Sequence, residues 1–154
     1  TEPEVEGRLI TEESMRRTCW LCYQGWKTWY AASGFKVLNT EMSLVSEAER
    51  FGGTFDALLE KDDLLWVCDW KTSKQFSHAM LVQIAGYRGI INEDPDRHVH
   101  KGLVVRLSKD TGNAIPRAYS SEQLDVGWKH ILKQRDLHES RKELAKAFKE
   151  YDNA

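Results

Sequence analysis

The sequence predicts an α/β domain. Three observations carry that prediction. Apolar residues recur at helical spacing over 11–32 and again over 77–91. Three extended, alternating runs lie between those helices. One further β-branched run, GLVVRLS, follows the second helix. A chain of 154 residues suits one domain, taken as 1–154, and is long enough to bury a continuous core. Hydrophobic residues make up 41% and charged residues 30%, a balance that excludes disorder and fibrous repeats.

Each element follows in order. Thr11 is placed to cap a helix in which Met15, Cys19, Cys22, Trp26 and Trp29 recur every three or four residues, and Gly34 is a C-cap. Phe35 to Val45, Gly53 to Glu60 and Leu64 to Lys71 read as three strands joined by short polar connections, the economical pattern of an antiparallel meander. Residues 77–91 return to helical spacing and stop at the Asn92–Pro95 breaker. Lys101 to Ser108 is a fourth strand, followed by the Asp110-Thr111-Gly112-Asn113 turn. The tail from Ser121 to Tyr151 reads as a polar helix or helix pair covering the surface. A helix between the third and fourth strands calls for a right-handed crossover and a mixed sheet.

Composition removes several function classes. No apolar run approaches the about 20 residues that span a bilayer, so no membrane helix is expected. No signal peptide is visible, and TEPEVEG reads as an internal start. Net charge is −2, so a nucleic-acid partner requires a local site rather than bulk basicity. Three cysteines, an odd number, do not build a disulfide framework. Cys19 and Cys22 form a CxxC without a second pair of ligands and read as packing thiols in a reducing compartment.

The chemistry is concentrated in GGTFDALLEKDDLLWVCDWKTSK, residues 52–74. Asp69 and Lys71 are two apart on one strand and leave the same face. A hairpin closed by the four-residue loop Lys61 to Leu64 pairs Glu60 with Leu65 and brings Asp56 opposite Asp69. Cβ atoms so opposed lie roughly 4.5–5.5 Å apart, and two carboxylates at that distance repel unless a cation separates them. Mg²⁺ accepts one or two carboxylates together with waters and phosphate oxygens. Lys71 adds an ammonium able to orient a water and offset charge developing on a phosphate. Leu64, Leu65, Trp66, Val67, Cys68 and Trp70 surround these charges with the composition of a strand buried on both faces. That setting weighs against an ordinary surface ion pair.

Asp56, followed after thirteen residues by Asp69 and then by Lys71, resembles the PD-(D/E)XK nuclease superfamily. The segments GGTFD and VCDWKTSK, with Gln83 and Tyr87 spaced as Gln-x-x-x-Tyr in the next helix, are similar to its RecB-like exonuclease branch, to which several phage exonucleases belong. The resemblance covers residues 25–110. It implies a restriction-endonuclease-like core: helix, three-strand antiparallel meander, helix and strand in a mixed sheet, here with a C-terminal helix. It implies Mg²⁺ or Mn²⁺ as cofactor, DNA as partner and phosphodiester hydrolysis, as an exonuclease in DNA processing, repair or recombination. Asp56, Asp69 and the Trp70 carbonyl would be metal ligands. Lys71 would position and help activate the attacking water, and Gln83 and Tyr87 would face the site and the DNA backbone.

The chain departs from that pattern at one place. Members of the branch carry a His or Glu on an N-terminal helix as a further ligand. The helix over 11–32 has no His, and Glu12 and Glu13 sit at its start. Glu41, in VLNTE, is the candidate acidic site residue and metal ligand, with Glu47 in the polar SEAER connection read as solvated. Otherwise the His-bearing helix lies upstream of Thr1. The expected setting is cytoplasmic, in a bacterium or phage-infected cell, with nucleus or mitochondrion as the alternative. Two rival functions stay open: a catalytically inactive nuclease fold that binds DNA or protein, and a hydrolase of small phosphorylated molecules.

Other features read as structural. His98 and His100 fall in the charged stretch INEDPDRHVHK and read as a solvated loop. Trp20, Trp26 and Trp29 read as core. Lys27, Lys74, Arg88, Lys101 and Arg106 are candidates for phosphate contacts, and Lys129 to Lys149 reads as a solvated helix face.

Overall fold

A computed structural model describes residues 4–5, 8–9 and 11–152. Strands β1 (Glu4–Val5) and β2 (Arg8–Leu9) pair with each other as a short antiparallel ribbon. Helix α1 (Glu12–Ser33) is capped as expected: the Ser14 N–H donates to Thr11 Oγ1 at 3.1 Å, and Gly34 ends the helix with φ 72°.

Three strands follow: β3 (Lys36–Ser46), β4 (Phe51–Lys61) and β5 (Leu64–Lys71). They form the expected antiparallel meander. The turn between β4 and β5 is Asp62-Asp63, both at positive φ (54° and 58°), the geometry of a two-residue type I′ hairpin. Helix α2 (His78–Ile91) crosses to β6 (Val99–Leu107), which pairs with β5 in parallel. The mixed sheet predicted from the order of elements is therefore present.

Neither the β1–β2 ribbon nor one strand of the main sheet was anticipated. β7 (Ala114–Tyr119) pairs antiparallel with β6 and completes the sheet order β3-β4-β5-β6-β7. Its sequence, AIPRAY, is short and contains Pro116. Proline cannot donate to a ladder, and its presence is compatible with an edge, where β7 lies. The tail is one helix, α3 (Ser121–Asp152), rather than a pair.

The sheet divides the core into two layers. Phe55, Leu58, Val67 and Val104 meet Ile84 of α2 and Leu124 of α3 on one face. Leu59, Cys68 and Val105 meet Cys22 of α1 on the other, with Trp26, Trp29, Trp66 and Trp70 packed around them. The β6–β7 turn seats against α1 at Gly25, where a Cβ would stand 1.5 Å from the Gly112 carbonyl oxygen; only glycine permits that approach. No helix among the described residues is long and apolar enough to cross a membrane.

Several smaller expectations are corrected. Trp20 is 60% exposed, and Met15 and Cys19 are exposed with it. Nine residues separate Trp20 from Trp29, which turns them about 180° apart on the helix, so they cannot share a buried face. His98 is exposed in the loop before β6, as expected, but His100 lies on that strand. Their rings meet edge to face at 4.7 Å, and His100 Nδ1 accepts the Leu65 N–H at 3.4 Å from its place on β6.

Candidate active site

The site lies where β4 and β5 part. Their pairing runs from Lys61↔Leu64 to Ala57↔Cys68 and stops there, one pair short of Asp56 and Asp69. Beyond that point β4 continues with β3 as far as Phe51, and β5 continues with β6 as far as Lys71. The hairpin register still brings Asp56 level with Asp69, as its loop length demands. The missing ladder contact is replaced by a side chain: Asp56 Oδ2 accepts the Trp70 N–H at 2.7 Å. Asp56 therefore fastens the fork that it lines.

Asp69 is 3% exposed. Its Oδ2 is contacted by Lys71 Nζ. The ammonium is the partner of this buried oxygen. Burial pushes the Asp69 carboxyl above its ordinary pKa; Lys71 opposes that rise and the charge of Asp56 adds to it. Cys68, buried between the two carboxylates in sequence, is pushed well above the usual thiol range, first by burial and then by Asp69 and Asp56. The strand register and the Asp56–Trp70 bond bring the two carboxylates together. The ion pair of Asp69 and Lys71 is real, but it lies in the interior rather than on an exposed strand.

Helix α2 supplies the facing wall. Gln83 Nε2 donates to the Tyr87 hydroxyl at 2.8 Å, one turn along the helix. Burial raises the Tyr87 phenol, Asp69 raises it further, and the Gln83 bond opposes the change. The Tyr87 ring lies over β4 at Gly53, where a Cβ would meet its Cε1 at 2.8 Å. Asp56, Asp69, Lys71, Gln83 and Tyr87 are thus assembled in one place.

Glu41 is not. It is level with Asp56 on β3, between the pairs Thr40↔Ala57 and Met42↔Phe55. Its backbone, however, turns to φ 49° and its side chain is exposed. Among the described residues no three His, Cys, Asp or Glu side chains come together as a group able to hold a metal ion. The left-handed backbone at Glu41 breaks the regular alternation of β3 there, and its side chain is exposed. Glu47 is exposed in the turn after β3, as read from sequence.

The proposed phosphate contacts are mostly committed elsewhere. Arg88 Nε donates to the Val99 carbonyl, and its Nη1 reaches Ser121 O and Asp125. Arg106 Nη1 donates to Ser73 O at 3.1 Å and Lys74 O at 2.5 Å. Lys101 Nζ sits 5.0 Å from the Trp66 ring centre. Long side chains beside a sheet cap carbonyls and cover rings before they meet a ligand.

A cavity of about 740 Å³ opens from Lys71 along α2 and is closed on its far side by α3. Its walls include His78, His130 and Gln134, none of which the sequence singled out for the site. Nothing local marks them: His130 and Gln134 belong to a polar helix that reads as surface until its packing on α2 is known.

No family model matches the chain, and no curated protein matches it. Among solved structures, the chain is similar to an FdxN element excision controlling factor protein from Anabaena variabilis. Identity is 13%, the alignment covers 62% of this chain and 95% of that one, and the TM-score is 0.40. At that score the likeness carries no argument about either fold or function.

Proposed function

We propose that the chain is a divalent-metal-dependent DNA nuclease of the PD-(D/E)XK type, on a restriction-endonuclease-like core, acting at DNA ends. One observation carries the reading: a buried carboxylate, Asp69, converges with Asp56 at a fork in the sheet, with the Lys71 ammonium against it. Two acidic groups so placed fit a hard cation that completes its shell with water and phosphate. Asp56, Asp69 and the Trp70 carbonyl would hold Mg²⁺ or Mn²⁺, which when bound supplies charge neutralisation and Lewis-acid activation of the phosphate.

The chain's own residues supply the rest. Lys71, held beside Asp69, is a preorganised cation for the charge that builds on phosphate oxygens. Tyr87, kept protonated by its surroundings and oriented by Gln83, presents a hydroxyl toward the same space.

A binding module without catalysis is the second reading. The absence of a third acidic or histidine ligand among the described residues favours it. Single-turnover assays on end-labelled and circular DNA, with Mg²⁺ and Mn²⁺ in parallel, separate the two. Shortening of the labelled ends with circular DNA intact is the expected result. DNA held but uncut under both metals would establish the binding module.

A further inference from the structure

Helix α1 covers only part of its sheet face. Its rings reach β5 at Trp70, which meets both Trp26 and Trp29. Trp66, nearer the β4–β5 turn, is met by Phe35 instead, edge to face at 5.3 Å. The strand register sets Lys101 beside Trp66, and Ala118 beside Leu103. Trp66, Leu103, Pro116 and Ala118 form the floor of a separate cavity of about 400 Å³. Phe35 and Lys61 wall it, and Asp62 of the β4–β5 turn lies at its rim. Trp66 and Leu103 belong to the α1 layer, across the sheet from the layer of Val67 and Asp69. The site is therefore independent of the nuclease reading.

Three features define what the cavity takes. Its floor and wall are largely apolar, and the rings of Trp66 and Phe35, 80° apart in plane, make a corner that fits a flat aromatic group. The Trp66 indole N–H is buried and has no acceptor among the described residues. A buried indole donor ordinarily finds a partner, and one left without it carries a desolvation cost that an incoming oxygen relieves. Two ammonium groups border the same rings: Lys101 Nζ stands 5.0 Å from the Trp66 ring centre, and Lys61 Nζ 5.1 Å from that of Phe35. Lys61 Nζ also donates to the Ser33 carbonyl at 2.8 Å, which leaves further protons on the ammonium to donate. Lys101 rests on its ring and has no carboxylate partner among the described residues. Set against Asp62 alone, the two lysines favour an anion.

We infer that this cavity binds a small aromatic carboxylate, its ring in the corner between Phe35 and Trp66 and its oxygens shared by the Trp66 N–H and the Lys101 ammonium. A volume of about 400 Å³ is at the small end of ligand sites, which suits an acid of about one or two rings.

The test uses the full chain labelled with nitrogen-15. The probe is 2-naphthoate, and 2-naphthalenemethanol is its uncharged counterpart. The six tryptophans each contribute an indole N–H signal, and a Trp66→Phe variant identifies the one from Trp66. Naphthoate is expected to move that signal downfield, to saturation, as the donor gains an acceptor. It should also bind at least about 10-fold tighter than the alcohol. Lys101→Gln, at a half-buried position, should abolish that preference, with an unchanged melting temperature as the check on its fold. A Trp66 signal that stays in place up to the solubility limit of naphthoate would overturn the inference. So would equal affinity of the parent for acid and alcohol, or a Lys101→Gln variant that prefers the acid as the parent does.

Discussion

The two faces of the sheet differ most along β5, where neighbouring residues serve opposite layers. Trp66, Cys68 and Trp70 go to the α1 side, where Trp70 meets Trp26 and Trp29 edge to face at 6.2 and 5.7 Å, and Phe35 closes on Trp66 at 5.3 Å. Val67, Asp69 and Lys71 go to the α2 side, toward Tyr87 and the cavity between α2 and α3. One face carries rings in favourable contact. The other keeps a buried ion pair, a second carboxylate beside it and open volume. A strand can support that second face because the first is packed at Trp70: the aromatic layer holds β5 in position while the Asp56 and Asp69 carboxylates repel. Asp56 links the two, since its carboxylate lines the site and also bonds the backbone N–H of Trp70.

The sharpest way to break the comparison is Asp69→Asn. Cleavage should be lost altogether. In metal-free buffer the variant should melt at a higher temperature, because the surroundings of the ionised carboxylate are unfavourable on balance despite Lys71. A lower melting temperature would instead make Asp69 the structural partner of Lys71. Next in size, Lys71→Ala should lower the single-turnover cleavage rate on the order of 10²-fold. Ground-state DNA affinity should change little, since one phosphate contact among several contributes a fraction of binding. Cleavage at the parental rate would make Lys71 a bystander.

The aromatic face answers to different measurements. Trp29→Ala removes a ring that touches both Phe35 and Trp70 and should cost about 3 kcal/mol in denaturant unfolding. Cleavage per folded molecule should survive, because the change lies across the sheet from the carboxylates. Gly53→Ala reaches the site through packing alone. Its Cβ would press on Tyr87 Cε1 at 2.8 Å, so a loss of about 1–3 kcal/mol is expected, with Tyr87 displaced from Gln83.

The smallest effect is set by pH. His100 has its pKa lowered by burial first and then by His98, Arg88 and Lys101. The folded state thus resists a proton that the unfolded chain takes up near pH 6.5. Stability is complete above that pH and declines as pH falls through it, and His100→Gln should flatten the decline in melting temperature between pH 7 and 5. An unchanged slope would assign the acid sensitivity to other groups.

Much of this protein is determined by short stretches of its sequence. The Thr11 cap, the Gly34 stop and the period of apolar residues set α1. The two-residue Asp62-Asp63 turn sets the β4–β5 register, and with it the meeting of Asp56 and Asp69 across thirteen residues. The Gln83–Tyr87 contact follows from helical geometry. These relations are local, so spacing alone reveals them. Tertiary structure decided what depends on distant chain. β7 exists because β6 offers it an edge, which a six-residue run with a proline does not announce. Trp20 is exposed because the sheet covers only one side of α1. Glu41 leaves the site because the backbone turns left-handed there, although its register is right. The cavity beside Lys71, with His130 and Gln134 in its walls, exists because α3 folds back onto α2 some forty residues later in the chain. Hydrogen-bond register and helical period are short-range and readable in sequence, whereas burial and cavity shape arise when separate elements compete for the same surface.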